Sequence, residues 1–100
     1  MTPTQATAEE TALCNRIAGA ALDLRTAMNR IPEPAISPDC ADAMDAALQA
    51  LCAVEAATAA LETLEDLTVQ GALLARSSRS TVLMIRHALT LLFAELDAAA

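Results

Sequence analysis

Apolar side chains recur along the chain at alternating intervals of four and three, the spacing that keeps one face of a helix turned toward a neighbour. The first run is Leu13, Ile17, Ala20, Leu24, Ala27 and Ile31. Thr7 and Glu10 before it fit a capping box, in which hydroxyl and carboxylate satisfy each other's free amides. Helix 1 is therefore expected over about 8–31, ending before Pro32, with residues 1–6 as a disordered tail. Pro32, Pro34 and Pro38 make a stiff connector, because each removes an amide donor and biases the preceding residue toward extended backbone.

Ser37, Pro38 and Asp39 form a strong helix start: a hydroxyl cap, a proline in the first helical position and an acid in the first turn. Helix 2 is expected over about 38–70, with Met44, Leu48, Leu51, Val54, Ala57, Leu61 and Leu64 inward and Gly71 as its stop. Ala72 to Ala75 read as an isolated helical turn and Arg76 to Ser80 as a second connector. Helix 3, about 79–97, is then capped by Ser78 or Ser80. Its seam is Val82, Ile85, Leu89, Leu92 and Leu96, with Leu83 and Phe93 alongside. Residues 7–100 thus read as a single helical domain with no internal repeat.

Composition strengthens the helical reading. Twenty-five alanines and fifteen leucines stand against one aromatic residue, Phe93, and ten of the twenty residues from Ala41 to Ala60 are alanine. Alanine is the best helix former, whereas strands favour the β-branched and aromatic residues that are sparse here. A core built from methyl groups brings helices close together but buries little area per residue. Self-association would compensate for that deficit.

Charge placement suggests how the helices are arranged. The stretch 31–70 carries eight acids and no base, whereas all six cations, every one arginine, lie in residues 1–30 and 71–100. Folding both flanking helices back along helix 2 would bring Arg30 toward Asp39, Arg25 toward Asp42 and Asp45, and Arg16 toward Glu55. It would likewise bring Arg79 and Arg86 toward Glu62, Glu65 and Asp66. The expectation is an all-α, up-down-up three-helix bundle with a long central helix, associating as a dimer. A helix of that length would span about 46 Å and overhang its own domain. It must either break, near Thr58 or Thr63, or pack its end against another molecule. Met84, Ala88 and Leu91 form a second apolar ridge off the seam of helix 3, and Leu22 lies off the seam of helix 1. These four residues are the candidate partner face.

Reactive chemistry is thin. Cys14, Cys40 and Cys52 are odd in number and lack C-x-x-C spacing. Cys40 and Cys52 would lie about 18 Å apart along one helix. They are expected to be reduced and mostly buried. His87 should face solvent, and its surroundings lack the Lys-Gly-rich continuation of a histidine phosphotransfer site. There is no short-range ligand pair for a metal, no Glu-x-x-His element, no glycine-rich phosphate loop and no nucleophile beside a credible base. Accordingly, no catalytic, cofactor or metal site is expected. A net charge of -7 disfavours direct nucleic-acid binding. No segment resembles a signal peptide, and the apolar run from Thr81 to Leu96 is interrupted by Arg86, His87 and Glu95. A cytoplasmic helical interaction module, an adaptor or regulatory subunit, is the leading expectation. The alternative is an acidic inhibitor, such as an antitoxin, an immunity protein or a phage-encoded decoy, that blocks a basic surface.

Overall fold

A computed structural model describes residues 7–31 and 40–99. These residues form three helices, α1 (Ala8–Asn29), α2 (Cys40–Glu62) and α3 (Val69–Ala99), with no strand among them. The helices pack as an elongated bundle of 57 × 18 × 16 Å with a radius of gyration of 15.9 Å, against about 13 Å for a compact chain of this length.

Helix α1 begins where its cap predicts. Thr7 is extended, and its Oγ1 accepts a hydrogen bond from the Glu10 amide at 3.1 Å. The other half of the capping box does not form, because the Glu10 carboxylate is committed elsewhere. The expected seam is buried: Leu13, Ile17, Ala20, Leu24 and Ala27 all lie in the core. The helix closes with short-range bonds from the Arg30 amide to the Ala27 carbonyl and from the Ile31 amide to that of Met28. The expected tail at 1–6 and the Ser37-Pro38-Asp39 cap lie outside the described residues.

The boundary between α2 and α3 differs from the sequence expectation. Helix α2 stops at Glu62, at the alternative break near Thr63, and does not run on to Gly71. At Thr63 both the amide, at 3.2 Å, and the hydroxyl, at 2.6 Å, donate to the Ala60 carbonyl, while the Leu64 amide reaches that of Leu61. Such three-residue bonds tighten and end a last turn. After a short turn Thr68 caps α3: its Oγ1 accepts from the Gly71 amide at 3.0 Å and its carbonyl from the Ala72 amide at 2.9 Å. Gly71 therefore starts a helix instead of stopping one. The Arg76 to Ser80 connector is likewise continuous helix. The long element is α3, with 31 residues and a length of about 46 Å, and the middle helix has only 23.

The core is one strip divided into three clusters. Leu13, Ile17, Ala57, Leu61 and Ala75 form one. Ala20, Leu24, Ala27, Ala47, Leu51, Val54, Val82 and Leu89 form the middle. Cys40 and Met44 form the third, with Ile31, Leu92, Phe93 and Leu96 packed against them. Within α2 the inward seam is Cys40, Met44, Ala47, Leu51, Val54, Thr58 and Leu61, all buried. Ala47 takes the place expected for Leu48, which is 39% exposed, and Thr58 buries its hydroxyl by donating to the Val54 carbonyl at 2.7 Å. Leu83 also proves exposed, on the outside of α3. By length and composition α2 could cross a bilayer, but 44% of its most apolar window is buried inside the bundle.

Candidate interaction face

Helices α1 and α3 both lie along α2 and touch each other little. One end of their contact is fixed by a polar clasp. The Glu10 carboxylate, on a residue only 2% exposed, accepts the Thr68 amide at 2.8 Å and the Thr68 hydroxyl at 2.7 Å. It stands at the N-terminus of α3, where the helix dipole favours negative charge. A Cβ on Gly71 would come within 2.9 Å of the Glu10 Cδ, so glycine leaves room for the carboxyl group. Burying a polar group is costly without partners, and Thr68 supplies two.

Beyond the clasp α1 and α3 are separated by an open groove of about 510 Å3. Val54 of α2 lies at its base, Ile17, Leu24 and Met28 line one wall, and Leu74 and Ile85 the other. Arg25 is the one charged side chain among the lining residues. The small residues Ala18, Ala21, Ser77, Ser78 and Thr81, with Asn29, complete the lining.

The four residues of the candidate partner face flank this groove. Leu22, 63% exposed, is one helical turn from both Ala18 and Arg25 in the α1 wall. On α3, Met84 lies one turn beyond Thr81 and Ala88 one turn beyond Ile85. Met84 and Leu91 are 70% and 57% exposed, and Ala88 is half-buried. Sequence reasoning missed Val69, Leu73 and Leu83, which add to the exposed apolar surface of α3. The first two fell in a segment read as a helix end and a short turn. The available signal was the four-three seam, which continues backward from Val82 through Ser78, Ala75 and Gly71.

The charged residues form a separate surface. Arg79 pairs with Glu62 and Arg86 with Glu55, both exposed and both between α2 and α3. The hydrogen bond from Arg79 holds the Glu62 carboxyl below its ordinary range, and the same bond raises the guanidinium. Arg79 was expected near Glu62. Glu55, however, is taken by Arg86 and not by Arg16, and among the described residues neither Arg16 nor Arg25 makes an ion pair with an acid of α2. Asp42, Asp45, Glu65 and Asp66 are exposed.

The three thiols are free. Cys40 is buried and Cys14 half-buried, where desolvation and then the nearby Glu10 charge push its thiol up. Cys52 is exposed on α2, contrary to the expectation of mostly buried thiols, because it lies on the face opposite the seam. His87 is exposed, as its register predicts. No group of three metal-binding side chains occurs among the described residues. Compared with known proteins, the chain matches no family model, no curated protein and no solved structure.

Proposed function

We propose that this protein is a small helical protein-protein interaction module, an adaptor or regulatory subunit without catalytic activity, which presents the α1/α3 face to its partner. One observation carries the reading: an open apolar groove whose flanks bear Leu22, Met84 and Leu91, large apolar side chains more than half exposed. Contiguous exposed apolar surface of this kind marks interaction sites in soluble proteins. The groove walls hold one guanidinium, one carboxamide and a few hydroxyls, a lining suited to binding and poorly suited to proton transfer.

The proposed arrangement is up-down-up. Its support is the membership of the core clusters, in which residues from the start of α1 join residues from the end of α2, and those from the start of α2 join residues from the end of α3. Self-association as a dimer, a cytoplasmic setting, and the absence of nucleic-acid and membrane binding belong to the same proposal. The test is a pull-down from source cells together with light scattering after gel filtration. A protein that stays monomeric at high concentration and captures nothing would refute the module.

A second reading is favoured by the exposed acids Asp42, Asp45, Glu65 and Asp66, beyond the two carboxylates that Arg79 and Arg86 neutralise. An acidic inhibitor would set them against a basic surface. Its binding must then weaken as salt rises, and affinity indifferent to ionic strength would exclude it.

A further inference from the structure

We infer that the occupant of the α1/α3 groove is a second copy of this chain, related by a two-fold axis, with the Met84 and Leu91 ridge of each copy seated in the groove of the other. The inference rests on the interaction-module reading and adds to it the surface through which two copies meet and the side chains that seat there.

A two-fold interface uses the same patch on both molecules, so that patch must carry both a projection and a recess. Here they are side by side: Met84 and Leu91 project from α3, and the groove between Ile17, Leu24, Leu74 and Ile85 lies next to them. Its lining includes small residues such as Ala18 and Ser77, which leave room for a long side chain from outside. A partner of another kind would need only the recess and would leave the projecting ridge uncovered.

Two molecules each carrying a net charge of -7 repel unless their acids stay apart, and at physiological salt charge is screened over about 8 Å. Helix α3 has no acid between Val69 and Ala94. On α1 the one acid beyond the first turn is Asp23, which is one turn from the buried Ala20 and Ala27 and so on the side turned away from the groove. The other acids of the described residues are Glu9 and Glu10 in the first turn of α1, Asp42, Asp45, Glu55, Glu62, Glu65 and Asp66 on α2 and the turn after it, and Glu95 and Asp97 at the end of α3. Glu95 lies one turn beyond Leu91. The α1/α3 face is therefore the one where two copies meet with the fewest carboxylates between them: Glu95 stands only at the far end of the ridge, and the groove itself carries Arg25 and no acid.

The test is sedimentation equilibrium or light scattering of the full chain and two double variants. Met84→Glu with Leu91→Glu places two charges on the ridge, at positions exposed enough to leave the monomer folded. Ala53→Glu with Ala56→Glu adds the same charge to the exposed side of α2, away from the groove. The wild type should have about twice the 10.4 kDa chain mass. The ridge variant should dissociate at least about tenfold more readily, since two large apolar groups are withdrawn from contact and replaced by charge. The α2 variant should remain dimeric, and circular dichroism should show unchanged helix in both. A monomeric wild type, a ridge variant that stays dimeric, or equal dissociation of both variants would overturn the inference. Capture of a heterologous protein by a monomeric wild type, blocked by the ridge variant, would overturn the second copy while leaving the module intact.

Discussion

Glu10 shows how one side chain can fix the relation between two distant parts of the chain. Its amide is capped locally by Thr7, while its carboxylate reaches across 58 positions to the amide and hydroxyl of Thr68. Removing it leaves a partly buried amide without its acceptor and deletes two hydrogen bonds to a charged group. Glu10→Ala should therefore cost about 2–3 kcal/mol in urea unfolding. Gly71 gives a sharper check. In an ordinary helix Gly→Ala stabilises by about 1 kcal/mol, but here the new methyl would meet the Glu10 carboxyl. Gly71→Ala should destabilise the wild type and stabilise the Glu10→Ala variant, and a double-mutant cycle reads that change of sign. If Gly71→Ala is equally favourable in both backgrounds, the clasp is not what places glycine there.

Two further expectations belong to single groups. Glu62 is held low by Arg79, so its pairing contributes stability above the carboxyl's unfolded value and loses it as pH falls through the depressed folded value. Carboxyl-detected titration of Arg79→Ala should show Glu62 returning upward toward the usual carboxylate range. Among the thiols, an alkylating reagent should modify exposed Cys52 first, then half-buried Cys14, whose thiol is also raised, and buried Cys40 last. A mass-resolved time course gives the order directly.

At the scale of elements, the seam of α1 was legible because its inward positions are mostly large and a proline follows. Helix α3 was half legible. From Val82 onward the seam is aliphatic, but before it the same register is occupied by Gly71, Ala75 and Ser78, which read singly as a stop, a filler and a cap. Reading them by type concealed the period they share. The break after Glu62 was equally quiet, since it contains neither glycine nor proline and depends on Thr63 and Thr68 bonding to nearby backbone. Ser80 separates the two descriptions. As a cap it would be damaged by Ser80→Ala, with a loss of about 1 kcal/mol. As an exposed position inside α3 the same change should raise stability by a few tenths of a kcal/mol, measurable from the denaturation midpoint. In α2 the choice of Leu48 over Ala47 erred for a related reason. Size suggested the leucine, but a closely approached helix places the methyl inward and leaves the leucine 39% exposed.

At the scale of the whole molecule the bundle is long and thin, and its stability is concentrated in the middle cluster where all three helices contribute. Leu51 is fully buried there, and Leu51→Ala should cost about 2–5 kcal/mol by opening a cavity that the neighbouring alanines cannot fill. A loss well below that would show that the helices close up around the hole. The four residues of the candidate face were recognisable in sequence because each departs from its helix's seam. The groove that gives them meaning was not, since it exists only because α1 and α3 rest on α2 without closing on one another.

The sequence by itself determined that the chain is helical, because alanine and leucine content and a four-three period depend on local backbone energetics and on which residues share a face. It also determined the inward line of α1, the later half of α3 and the off-seam ridge. Tertiary structure alone decided that Gly71 opens a helix, which arginine meets which acid, and that an apolar face stays open. Each of those outcomes depends on groups far apart in the chain meeting in space, as Glu10 meets Thr68, and no period within a single helix records such a meeting.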